Sequence, residues 1–429
     1  MIASALNNLT VTFNIPPEIA QGLLDGTYER IGGVIRHVAS KKIVAWLRDA
    51  SYQAPPPTSM GIIPAFDLGS GVLNLAVSAI NTAITARGFE NVNHRLTAIE
   101  QTLEGMQGMI RLSSAASILN LGVSAIGFAV ITKRINELEQ RLQAAQEILN
   151  QINRKIDLGF YAKFRAALDL ANNAFTMGKR ENRRDCALVA IKNFLEAEHI
   201  YTDYVDQELK IESQIADEYL LTLALAYISE ARCHLELGEF DTALKRFQHG
   251  AIEIRSRTKK YIEILLTANP SVYLHPKLQD QIRLKRLTQV YNWIDPSLDE
   301  AAVFEIQRSN LFSLDKEIGK WAKSLPPAIV ARSEVKGSVF GNDWEVRDEA
   351  MRRLPQVIEV MESMIETNQR FEAYALEVKA IDKLGLTFQE WTQLRPTEFA
   401  PGGTNLMCII PSKPISIEGD RFLAPNGCK

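Results

Sequence analysis

The sequence predicts a mainly α protein: a long helical duplication with heptads and an α-hairpin bundle, preceded by a small N-terminal α+β module. Three observations predict it. An apolar octet, LNLAVSAI at Leu73–Ile80, returns as LNLGVSAI at Leu119–Ile126, and each copy runs on into a heptad stripe. Helical periodicity then dominates to about Lys383, broken by turn signals rather than by strands. Only the first fifty residues carry a clear alternating, β-branched pattern.

In residues 1–50, LTVTFNI (Leu9–Ile15) reads as a strand, because β-branched residues alternate along it. PPEIAQGLLDG follows, with proline suited to a helix start and Gly26 to a helix stop. GGVIRHV and KIVAWLR then flank a short turn as a hairpin-like pair. Residues 51–67 form a linker, since the three prolines of SYQAPPPTSMGIIP favour an extended path. Residues 68–158 hold the duplication and 159–383 an α-hairpin bundle with breaks at ANPSVYLHP, SLPPAI and VKGSVFGND. The Pro- and Gly-rich residues 384–429 predict an irregular C-terminal cap with short β-like runs.

The duplication aligns without a gap at an offset of 46 residues, pairing Asn74 with Asn120 and Arg95–Leu96 with Arg141–Leu142. Its first halves, 68–86 and 112–132, are apolar and uncharged, and about 20 such residues suffice to span a bilayer. The candidates for membrane insertion are Leu73, Leu75, Val77 and Ile80 in the first copy. In the second they are Leu119, Leu121, Val123, Ile126, Phe128 and Val130. Asn74 and Asn120 disfavour permanent residence in lipid and favour a covered or switchable position. The second halves carry steps alternating three and four, the spacing of a coiled-coil seam. One stripe contains Phe89, Val92, Leu96, Ile99 and Leu103; the other contains Ile135, Leu138, Leu142, Leu149 and Ile152. These are the candidate oligomer seams.

Apolar helical segments beside long amphipathic helices resemble the plan of α-helical pore-forming toxins, over about Leu68–Leu158. That resemblance implies a chain made soluble whose apolar segments become exposed, insert and oligomerise into a pore. Here a heptad helix separates the two apolar segments, a departure from a single compact tongue. GGVIRHV, KIVAWLR and the repeat together are also similar to bacterial proteins of undefined activity. Farther on, YISEARCHLELGEFDTALKRFQHGAIEI resembles a tetratricopeptide repeat: Leu237–Gly238 form the turn, and Phe240, Ala243, Phe247 and Gly250 occupy packing positions of its second helix. Ala190, Phe194 and Ala197 echo that second helix. This resemblance implies the alternative function, a soluble scaffold or adaptor binding a protein partner through such hairpins.

Composition excludes several classes. A net charge of −3 argues against nucleic acid as a partner, leaving membrane lipid, a second copy or another protein. Four cysteines without CxxC spacing fit a reducing compartment. The start, MIASALNNLTVTFNIPPEIAQG, lacks a basic stretch followed by an apolar one, so no signal peptide is expected and the predicted location is cytoplasmic, with membrane association conditional. There is no GxGxxG after a strand, no P-loop, HExxH or GxSxG, and the six histidines do not pair at metal-ligand spacing. A non-enzymatic protein without cofactor or metal is expected. The carboxylates of IEVMESMIE and ALEVK, and the basic runs RENRRD and RSRTKKY, read as solvated faces; the five tryptophans read as core.

Overall fold

The structure, a computed structural model, describes residues 9–49, 127–150, 159–266, 270–278, 281–316, 321, 324–330, 343–396 and 406–417. Within these the protein is mainly helical, with one five-stranded antiparallel sheet. In chain order the strands are β1 (Leu9–Thr12), β2 (Tyr28–Ile31), β3 (Val34–His37), β4 (Ile43–Asp49) and β5 (Leu406–Pro411). The helices are α1 (Pro17–Leu24), α2 (Phe128–Asn150), α3 (Gly159–Thr176), α4 (Arg180–Lys210), α5 (Ala216–Glu236), α6 (Phe240–Leu266), α7 (Leu284–Ile294), α8 (Glu300–Lys316), α9 (Asp343–Leu384) and α10 (Phe388–Gln393).

The sheet order is β1-β5-β4-β3-β2, so a strand from the chain's far end sits between two from its beginning. Register places Val11 and Trp46 on either side of Ile409. The tail, predicted as an irregular cap with short β-like runs, therefore supplies one strand to the sheet of the small N-terminal module. LMCIIP is short, and its apolar run gains a partner only through long-range pairing. β2 is the other strand absent from the sequence reading. It closes a tight hairpin onto β3 through Gly32–Gly33.

One sheet face carries Ile35, Val44, Leu47 and Cys408 beneath Ile19 of α1. The other carries Val34, Ile43, Trp46, Met407 and Ile409 into the main helical core. The pleat sorts side chains to two faces, and a bulge that leaves Val44 as the extra residue in β4 shifts the alternation there. Trp46 meets Trp391 of α10 edge to face at 5.4 Å, while the buried Arg48 donates to the Trp391 carbonyl at 3.1 Å. Gly32 has φ +51° and abuts α9: an added Cβ would lie 2.6 Å from the Arg370 Cα. Only glycine meets both demands.

The helices pack as successive neighbours: α3 on α4, α4 on α5, α5 on α6, and α9 back across α6. An aromatic ladder joins the first three of these helices, with Tyr161–Tyr201 at 5.5 Å and Phe164–Phe194 at 5.7 Å between α3 and α4, and Tyr204–Tyr219 at 5.2 Å between α4 and α5. α9 is 42 residues long, about 60 Å at the helical rise. Pro355 lies inside it and leaves the Met351 carbonyl without its helical donor.

Several surface assignments are corrected here. Glu362, Glu366 and Glu377 of α9 are buried, as is Arg257 of the RSRTKKY run, because Arg286, Arg30, the Trp391 indole and Asp206 from other elements meet them. Trp344 is 54% exposed, with the Arg347 guanidinium 4.7 Å from its ring, so it is not core.

Candidate functional site

The second heptad stripe begins at the point where the described chain resumes. Phe128, Ile131, Ile135, Leu138 and Leu142 recur at three- and four-residue steps, which keeps them on one face of α2. All five are buried, against α3 and α5 of the same chain. The Phe128 ring stacks on Phe175 of α3 at 5.7 Å with an interplanar angle of 4°. The opposite face of α2, with Ala129, Lys133, Gln140 and Gln143, is exposed. Each of the five apolar side chains contributes about 1.5–3 kcal/mol of burial.

Ion pairs line the rim of this seam. Arg165 of α3 pairs with Glu139, and Arg141 lies 3.3 Å from Glu218 at the start of α5. Arg134 pairs with Glu137 along α2 itself at 2.8 Å. Burial pushes the Glu218 carboxyl up despite the opposing Arg141 charge. Beside it, burial and then the Glu218 charge push Asp217 up to about 8. This corner of the seam therefore resists carrying its full negative charge.

The candidates named from sequence divide sharply. Ile135, Leu138 and Leu142 lie in the protein's own core, Phe128 is buried with them, and Val130 is half-buried. Leu149 lies in the last turn of α2. Leu73, Leu75, Val77, Ile80, Phe89, Val92, Leu96, Ile99, Leu103, Leu119, Leu121, Val123, Ile126 and Ile152 lie outside the described residues. Among the described residues no helix is long and apolar enough to cross a membrane.

The stretch whose sequence resembles a tetratricopeptide repeat forms the α5–α6 hairpin. Gly238, with φ +78°, makes its turn, and Ala243 and Phe247 are buried. Gly250 admits the Phe371 ring of α9, since a Cβ there would lie 2.6 Å from it. Of the 21 residues of α5, 17 are buried, so that helix offers no open face; α9 covers one face of α6, while the other, with Lys245, His249 and Ile252, is exposed.

Sequence reasoning missed the buried charges. Arg246 of α6 pairs with both Glu198 of α4 and Glu230 of α5, while His234 lies 3.7 Å from Glu230. Burial, reinforced by the neighbouring carboxylate, holds Glu198 well above the usual carboxylate range. Glu230 stays below it: burial opposes ionisation, but His234, Glu198 and Arg246 stabilise the charge. The Glu198–Glu230 pair thus resists carrying two full negative charges. Arg30 of β2 grips Glu366 of α9 through two bonds of 2.9 Å, and Arg370 adds a third of 2.9 Å. Burial disfavours the Glu366 charge, yet these two guanidinium groups hold its carboxyl down to about 2. Arg286 of α7 grips Glu362 in the same bidentate way, at 2.5 and 2.7 Å. The cue in sequence is carboxylates on the apolar stripe of α9, as with Glu362 next to Met361 and Glu366 next to Ile365.

Chemistry beyond packing is sparse. Among the described residues no group of three or more His, Cys, Asp or Glu could hold a metal. Burial pushes the Cys233 thiol up and the Cys408 thiol up to about 12, so neither is poised as a nucleophile. A groove of about 660 Å³ between the ends of α4 and α6 mixes Asp206, Lys210, Lys260 and Glu263 without convergent chemistry. Comparison with known proteins finds no matching family model, no matching curated protein and no matching solved structure.

Proposed function

We propose that this is a non-enzymatic, membrane-active helical protein whose body holds the second repeat until its apolar segments, 68–86 and 112–132, are exposed and insert, oligomerising into a pore. One observation carries this reading. The uncharged run 112–132 overlaps the docked start of α2, so Phe128 and Ile131 cannot be covered by the body and by lipid at once. Docking and insertion compete for the same side chains, which supports a protein with two alternative placements of one segment. The rim ion pairs Arg165–Glu139 and Arg141–Glu218 favour the docked placement.

The alternative, an adaptor recognising a partner through the α5–α6 hairpin, has less support, because α5 is buried on all sides and only one face of α6 is open. Dye release from lipid vesicles separates the two. The full chain is expected to release dye, and Ile126→Arg to keep the wild-type unfolding midpoint while losing release. An inert wild-type chain, or an Ile126→Arg variant that releases dye as wild type does, would overturn the membrane reading.

A further inference from the structure

We propose that the basic corner where α3 turns into α4 is the face this protein lays on an anionic bilayer. The inference rests on the membrane-active reading and deepens it by naming the lipid class and the docking surface. α3 ends at Thr176 and α4 begins at Arg180, so the turn sits directly beside the Phe128–Phe175 stack, where the apolar run joins the body.

Lys179, Arg180, Arg184 and Lys192 are exposed. Among the described residues none makes a hydrogen bond or ion pair to their side chains. Arg180, Arg184, Leu188 and Lys192 follow at four-residue steps and share one stripe of α4. Leu188 is 48% and its neighbour Val189 51% exposed, among the few large apolar side chains left open.

The fold itself gains nothing from this arrangement. Lys179 stands at the N-cap without a side-chain cap bond, where Ser, Thr, Asp or Asn would satisfy the first amides. Basic residues in the first turn oppose the helix dipole, so local stability is lower than an acidic turn would give. Arg183 alone is used internally, capping α3 through the Met177 carbonyl at 2.9 Å. Between 179 and 192 the chain carries five basic residues against Glu181 and Asp185, although the whole protein is at −3.

Exposed cations interleaved with aliphatic side chains fit the headgroup boundary of an anionic leaflet. The cations meet lipid phosphates and carboxylates while Leu188 and Val189 enter the acyl boundary. A nucleic acid would use the charge but leave the aliphatic pair in water. Docking here sets the α2 start at the interface, so undocked Phe128 and Ile131 emerge beside lipid rather than into solvent.

The test is co-sedimentation of the full chain with vesicles of phosphatidylcholine alone or mixed with phosphatidylserine, across a salt series. Wild type is expected to favour the mixed vesicles, with binding that falls as salt rises. Arg180→Glu/Arg184→Glu should weaken that binding about tenfold or more and flatten the salt dependence. Arg180→Gln/Arg184→Gln should fall between. Both side chains are exposed and an acidic first turn suits the helix dipole, so unfolding midpoints should be no lower than that of wild type. Variants that bind mixed vesicles as wild type does would overturn the docking surface while leaving dye release, and hence the membrane reading, intact. A wild-type chain that binds no vesicles would sink both. Tighter binding to a duplex oligonucleotide, abolished by the same reversal, would overturn the lipid assignment.

Discussion

Two helices of this protein bury apolar faces in one core, and they are held in different ways. α9 is fixed from several directions: Glu362 by Arg286 of α7, Glu366 by Arg30 of β2, and Glu377 by the Trp391 indole of α10 at 2.6 Å. α2 is held along one apolar stripe, with its ion pairs at the rim. Removing α9 would leave several charges buried without partners. Removing α2 exposes apolar side chains and frees rim charges to water. The contrast separates a permanent spine from an element able to change places, because buried unpaired charge costs far more than re-exposed or lipid-covered apolar surface.

The largest expected effect lies in the spine. Glu366→Ala leaves Arg30 and Arg370 facing each other inside the protein and should cost about 3–5 kcal/mol in global stability. Urea unfolding followed by circular dichroism measures it. A loss below about 1 kcal/mol would erase the distinction between the two helices.

A smaller and more local effect is expected in α2. Leu138→Ala should cost about 2–5 kcal/mol at the seam. The loss should appear as faster amide exchange in 128–150 while exchange in α9 is unchanged. Dye release should then require less lipid. If α9 and α2 lose protection together, the body and α2 unfold as one unit and the second placement is refuted.

The smallest effect is a divergence in pH response. Glu366 has a depressed carboxyl, so its stabilisation is present above the ordinary 4.5 and is lost as pH falls toward about 2. Asp217 has a raised one: the folded chain binds its proton more tightly than the unfolded chain. Its contribution is therefore full below the ordinary 3.8 and is lost as pH rises toward about 8. Mild alkali should loosen the α2–α5 corner and strong acid the spine. Amide exchange at pH 6 and pH 9 in wild type and Asp217→Asn checks this (the asparagine should remove the alkaline loosening).

How far the sequence disclosed this contrast follows from the range of each interaction. Strand β1, helix α1, the β3–β4 hairpin and the Gly238 turn depend on neighbouring residues and were legible. The seam of α2 was legible as a period, but Ile135 and Leu138 gave no sign that α3 and α5 would cover them. β5 was legible only as a short β-like run, because its partners lie at the other end of the chain. The Arg30–Glu366 pair spans 336 residues, and a glutamate on a helix looks solvated until its partner is known.

The most direct measurement tethers the start of α2 to α3. Ala129 and Thr176 are exposed and flank the stacked Phe128–Phe175 pair. In a Cys186→Ser/Cys428→Ser background, Ala129→Cys/Thr176→Cys bridged by a cleavable bismaleimide should bind vesicles but release no dye, and cleavage of the bridge should restore release. Equal dye release with the bridge intact would contradict the claim that α2 must leave the body.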